Sequence, residues 1–197
     1  PFSNFGSDAV CLAVGCAALA CRIKAATSQV GIEHDLLFER IKHYWLSNIR
    51  PLEPQDCSAT CLFAFRFGDG LIHLGMLGDG LVAALKPDGS VVSLNENKGY
   101  GFSNITTALS PNVSPNEWRH ISLPEEECIA VFLCTDGVAD DLDDVDGFVS
   151  GFIEAHCSIA EISANRRTRE MLEKWPTPKH SDDKTIACLF PEDAPDA

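Results

Sequence analysis

Positive charge is scarce in this 197-residue chain: 15 lysines and arginines stand against 29 aspartates and glutamates, a formal net charge of -14. Such a surface repels nucleic-acid phosphates and anionic membranes, so neither is an expected partner. Cys-x-x-Cys pairs are absent, which argues against a cysteine zinc site. The nine cysteines, at positions 11, 16, 21, 57, 61, 128, 134, 157 and 188, sit mostly in apolar stretches such as Cys128-Ile-Ala-Val-Phe-Leu-Cys134 and read as reduced core residues of a cytoplasmic protein. No signal-peptide pattern opens the chain and no apolar run is read as spanning a bilayer, so the Asn104-Ile105-Thr106 sequon is discounted as a glycosylation site. Also missing are a Gly-x-Ser-x-Gly elbow, a phosphate loop ending in Gly-Lys-Ser/Thr and a His-Glu-x-x-His motif. The six histidines are scattered, and His73, within an apolar strand, is expected to be packed rather than to act as a ligand.

What remains is a chain with 45% hydrophobic and 22% charged residues, expected to form one compact domain over 1–197 with a frayed acidic tail at 191–197. Ala- and Leu-rich residues 7–27 predict a buried helix capped by Ser7, and 33–49 predict a second helix stopped by Pro51. Short apolar runs at 59–67, 71–77, 81–85 and 90–94, separated by Gly68-Asp69-Gly70, Gly78-Asp79-Gly80 and Pro87-Asp88-Gly89, predict an antiparallel meander. A buried strand at 128–134, helices at 148–159 and 164–175, and a last strand at 185–190 complete an α+β order without βαβ alternation.

Three acidic motifs end or begin these apolar runs: Gly78-Asp79-Gly80, Thr135-Asp136-Gly137 and Ser181-Asp182-Asp183-Lys184-Thr185. A lone Gly-Asp-Gly is most often a turn. A carboxylate at the end of a buried strand is costly unless it is partnered, and a hard divalent cation is one such partner. Asp136 carries this reading best, Asp79 and Asp182 less so when each is taken alone. The five aspartates within residues 140–146 fail the calcium-loop pattern and read as a solvated helix start, with Asp140 expected to hydrogen-bond a metal ligand rather than touch an ion itself. Cys134 reads as core, because no arginine follows within reach to form a thiol-phosphatase loop.

In this order, the motifs resemble the protein phosphatase 2C family in its compact bacterial branch. Ala59-Thr60-Cys61-Leu62 is similar to the strand before the family's Gly-Asp motif, Thr135-Asp136-Gly137-Val138-Ala139-Asp140 to its Thr-Asp-Gly-x-x-Asp segment, and Asp182-Asp183-Lys184-Thr185 to its closing motif. The resemblance implies an αββα sandwich of two antiparallel sheets flanked by helix pairs. It implies that Asp136 and Asp182 ligate a pair of Mn²⁺ or Mg²⁺ ions, that Asp79 supports a third, and that Asp140 holds a metal-bound water. The implied reaction is hydrolysis of phosphoserine or phosphothreonine in a protein, opposite a cognate kinase. Three departures accompany it. The step from Asp79 to Asp136 leaves little room for a flap subdomain; Gly80 stands where many members have serine; and the family's opening strands, with an early acid and an Asp-Gly-x-Gly motif, are not found, so the chain is read as starting just too late. That last departure motivates the alternative of a pseudophosphatase that binds a partner without hydrolysis.

Overall fold

The computed structural model describes residues 3–28, 31–95, 107–176 and 182–190. The expected frayed tail at 191–197 and the Asn104 sequon lie outside them. Helices α1 (Ser3–Ser28), α2 (His34–Asn48), α3 (Asp136–Ala139), α4 (Val145–His156) and α5 (Glu161–Glu173) accompany strands β1 (Cys61–Arg66), β2 (Leu71–Leu77), β3 (Leu81–Leu85), β4 (Val91–Asn95), β5 (Arg119–Pro124), β6 (Ala130–Cys134) and β7 (Ile186–Leu189). The strands form two antiparallel sheets, ordered β1-β2-β5 and β4-β3-β6-β7. The fold is α+β, as expected, with a helix pair on each sheet. Two compact units result, one of residues Pro1–Asp79 with Asn97–Glu125, the other of Gly80–Glu96 with Glu126–Ala197.

The expected meander is in fact two hairpins in two sheets, and identical tripeptides account for both the reading and its correction. Gly68-Asp69-Gly70 joins β1 to β2 as a hairpin, its glycines at φ +82° and +80° and Asp69 Oδ1 accepting from the Leu71 amide at 3.2 Å. Gly78-Asp79-Gly80 has glycines at φ +95° and +107°, yet β2 and β3 do not pair there. The chain leaves the first sheet and enters the second at this turn. Composition does not separate the two outcomes, because both need only a backbone free to enter the left-handed region.

In the first unit, α2 turns Leu37, Phe38, Ile41 and Trp45 inward at helical spacing. Phe38 stacks on Trp118 with centroids 4.7 Å apart, and Phe63 from β1 joins the cluster. Helix α1 adds small residues at every fourth position, Ala9, Ala13, Ala17 and Cys21, which let it lie close to α2. Three expectations fail here. The helix begins at Ser3, so Ser7 lies inside it rather than capping it. It is also only half buried: Phe5, Leu12, Leu19 and Ile23 are exposed, as are Cys11 and Cys16. Within Asn4–Thr27 an 18-residue window reaches a mean hydropathy of 1.8, so by length and composition alone this helix could cross a membrane, contrary to the expectation that no run is long enough. Strand β5 was not anticipated, because Arg119-His120-Ile121-Ser122-Leu123-Pro124 follows a loop and is half polar; it pairs with β2 from Leu71↔Pro124 to Met76↔Arg119.

His34 opens α2 against two other imidazoles. Burial, then the neighbouring His120 and His73, lower its pKa from 6.5 to about 4, against weaker opposing pulls from Asp35 and Asp69. A base whose folded pKa is depressed contributes stability that is present above pH 6.5 and lost as the pH falls toward 4. With allowance for solvent screening of a half-buried ring, the loss by pH 4 is about 1–2 kcal/mol. Urea midpoints at pH 7 and 4, both in EDTA, should show this fall in the wild type and a smaller one in His34→Gln.

In the second unit, β3 and β6 form the buried centre of the sheet, and Phe132 packs edge-on to Phe148 and Phe152 of α4. Met171 and Leu172 of α5, with Trp175 just beyond it, close the same cluster. Asp144 caps α4, accepting from the Gly147 amide at 2.9 Å, so the acidic run does lead into a helix as expected.

Candidate metal centre

Register builds this site. Strand β7 runs antiparallel to β6 with Cys134 opposite Ile186, which sets the residues after β6 beside those before β7. The next pair is locked by threonines: the Thr135 amide donates to the Thr185 carbonyl at 3.1 Å, and the Thr185 amide donates to Thr135 Oγ1 at 3.0 Å. Thr135 Oγ1 in turn lies 3.3 Å from the Asp183 carbonyl, to which it donates. Asp136 and the Asp182-Asp183 motif thereby occupy one end of the sheet, although Asp136 and Ser181, the motif's first position, lie 45 positions apart in the sequence. Ser181 itself lies outside the described residues.

Asp136 starts α3 directly after its N-cap, Thr135, and its Oδ1 accepts from the Gly137 amide at 2.8 Å, which fixes the carboxylate's orientation. Asp140 follows one helical turn later, its amide donating to the Asp136 carbonyl at 2.9 Å. Both side chains are partly exposed and Asp182 is exposed, so all three are reachable from solvent. Lys184 Nζ donates to the Asp182 carbonyl at 3.2 Å and leaves a positive charge beside the motif. The next aspartate, Asp141, accepts from Trp175 Nε1 at 3.1 Å and ties the end of α3 to the segment after α5.

Gly137 is required for this approach. A Cβ there would collide with the Asp183 carbonyl oxygen and stand 3.2 Å from that of Asp182. Both obstacles are backbone, so relief has to come from movement of the strand itself. Gly137→Ala is expected to cost about 1–3 kcal/mol in a urea titration, in the range of overpacking, and to draw Asp182 away from Asp136. Gly151→Ala, in mid-α4 with open space around it, is the matched control and should stabilise by about 0.4–1 kcal/mol.

Asp79 lies in the other unit, at the end of β2. The turn that holds it has a support the sequence did not reveal: Arg119 of β5 donates from Nη2 to the Gly78 carbonyl at 2.6 Å. Gly78 is itself pressed against Thr60 and the Thr107 carbonyl, leaving no room for a side chain. Among the described residues, no three His, Cys, Asp or Glu side chains converge on a single cation position. The donor set still fits a hard cation in kind: carboxylate oxygens at strand ends, beside a glycine that leaves open space. Cys134, two residues before Asp136, is buried, and burial, then the Asp136 charge, push its thiol up to about 12. That protonated thiol is no nucleophile, as the core reading expected.

Comparison with known proteins bears on the family and the fold. The sequence matches the family profile described as "Protein phosphatase 2C" over residues 1–175, a stretch that contains Asp79, Asp136 and Asp140 and ends before Asp182. A comparison with curated protein sequences gave no match. Among solved structures, the photosystem II phosphatase PBCP superposes with a TM-score of 0.51 at 15% identity, over 80% of this chain and 58% of that one. A C. elegans sex determining protein gives 0.57 at 14% identity, over 90% of this chain and 51% of that one. The catalytic domain of the serine/threonine protein phosphatase PstP, solved in complex with two manganese ions, gives 0.53 at 15% identity, over 89% and 78%. The chain thus spans little more than half the length of the first two, and at such identities the likeness is one of fold. With the profile matching most of its length, this chain belongs to the protein phosphatase 2C family.

Proposed function

We propose that this protein is a metal-dependent phosphatase of phosphoserine and phosphothreonine in proteins, with Asp136 and Asp182 as ligands of Mn²⁺ or Mg²⁺. The observation that carries the reading is the threonine-locked register that sets Asp136 beside the Asp182-Asp183 motif across β6 and β7. Bound divalent ions supply two things to phosphomonoester hydrolysis: an activated water and neutralisation of the phosphoryl oxygens. The protein's own part is to present rigid carboxylates. The amide of Gly137 orients Asp136, and Asp182 is exposed to solvent in the segment that leads into β7. Asp140, one turn along the same short helix, would hold a water by hydrogen bonding. Asp79 offers a further carboxylate from its own strand end. Two ions are expected and a third is compatible with Asp79. With its buried thiol protonated, Cys134 takes no part. The substrate is a phosphoprotein, and the enzyme acts opposite a cognate kinase in signalling.

Calorimetric titration of the protein with MnCl₂ tests the binding half of this reading. Saturable binding that Asp136→Asn weakens at least tenfold supports it. Absence of binding favours the alternative of a protein-binding pseudophosphatase with the same fold.

A further inference from the structure

Helix α1 has two apolar faces, and only one of them is used within the chain. Ala9, Ala13, Ala17 and Cys21 are buried on the side that packs on α2. On the other side Phe5, Leu12, Leu19 and Ile23 are 47, 62, 59 and 56% exposed. At 3.6 residues per turn these four share one stripe, about 100° wide, with the exposed Asp8, Gly15 and Arg22. A stripe of that kind along a 26-residue helix marks a contact surface rather than a solvated face.

The order of residues along the stripe says what covers it. Leu12 lies three positions before Gly15 and Leu19 four after it, while Asp8 and Arg22, of opposite charge, each lie seven away. An isologous contact requires such symmetry, because each copy offers the same patch to the other. Laid antiparallel about Gly15, Asp8 of each copy meets Arg22 of the other, and Leu12 meets Leu19. A parallel arrangement would instead set Asp8 against Asp8 and Arg22 against Arg22. A Cβ added at Gly15 would meet nothing within 4 Å, so the two backbones can approach closely where they cross. The charged residues of α1 are Asp8, Arg22 and Lys24, so this face escapes the acidic excess of the whole chain. The same charges argue against a bilayer: inserting the stripe would take Asp8 and Arg22 out of water unpaired.

We propose that two copies of this chain associate through α1, antiparallel about a two-fold axis at Gly15, with Leu12 and Leu19 as the apolar centre and an Asp8–Arg22 pair at each end. The leucines supply the affinity, and the exposed ion pairs fix direction and register. The contact is one helix wide, so the dimer forms and dissociates with concentration. Helix α1 belongs to the first unit and Asp136 and Asp182 to the second, so the proposal does not depend on the phosphatase reading.

The test is sedimentation equilibrium of the whole protein in a thiol reductant, which keeps the exposed Cys11 and Cys16 from cross-linking copies. The mass is expected to rise from one chain to two as concentration increases. Leu12→Asp combined with Leu19→Asp should hold the protein monomeric. Arg22→Asp sets like charges together and should weaken the dimer about tenfold, and adding Asp8→Arg to it should restore wild-type association. Restoration by the charge swap is specific to the antiparallel register. All four positions are exposed, so the helix content by circular dichroism should be unchanged in every variant. A monomer at every concentration, a dimer that survives the double leucine substitution, or an Arg22→Asp defect that Asp8→Arg does not rescue would overturn the proposal. So would a monomer that instead floats with neutral lipid vesicles.

Discussion

Asp136→Asn is expected to abolish metal-dependent phosphatase activity in the full-length protein, with a loss of at least about 100-fold in kcat/KM. The magnitude follows from a comparison: mutating groups that merely orient metal ligands already costs 10–100-fold, and Asp136 is proposed as a ligand itself. Asparagine keeps the size of the side chain and an oxygen that can still accept from the Gly137 amide, so α3 and the Thr135–Thr185 lock should persist. What is lost is the negative charge. Unchanged thermal stability in the metal-free state together with collapsed activity is therefore the expected pair of results, measured by unfolding in EDTA and by phosphate release in MnCl₂. Activity retained in Asp136→Asn would remove this residue from the site.

Phe132→Ala is expected to have the largest effect on stability, about 3–5 kcal/mol. Its ring is fully buried in the central strand β6, edge-on to Phe148 at 5.9 Å and to Phe152 at 5.2 Å. Deletion removes the buried area of the ring, leaves a cavity between sheet and α4, and forfeits two aromatic contacts worth about 0.5–1.5 kcal/mol each. Against a total stability of about 5–15 kcal/mol, this is a large share. In a domain of this length the melting temperature should fall by about 6–20 °C, read by circular dichroism. Phe132 also lies on β6, which ends two residues before Asp136, so metal affinity should decline with it. A fall of less than 1 kcal/mol would mean that the second unit does not depend on this cluster.

The acidic motifs were legible because glycine and short apolar runs punctuate the chain around them. Their order and strand context are local facts. What lay beyond the sequence was long-range. Two Gly-Asp-Gly tripeptides ten residues apart do different work, one closing a hairpin and the other carrying the chain between sheets, since the choice depends on which strands find partners. Strand β5 was hidden by its polar alternation and became a strand by pairing with β2. The exposed side of α1 was hidden by composition, because its small residues face α2 while Phe5, Leu12, Leu19 and Ile23 do not. The threonine lock joins Thr135 and Thr185, and the histidine cluster joins positions 34, 73 and 120. Neither has a spacing that any local pattern marks.

Asp136 and Asp182 are proposed to serve metal-dependent hydrolysis of phosphoproteins. The most direct measurement is phosphate release from a phosphothreonine peptide by the full-length protein, in EDTA and after MnCl₂ is restored. No release is expected in EDTA, and in Mn²⁺ turnover that Asp136→Asn and Asp182→Asn each suppress. Equal release with and without metal, or none in Mn²⁺, would contradict it.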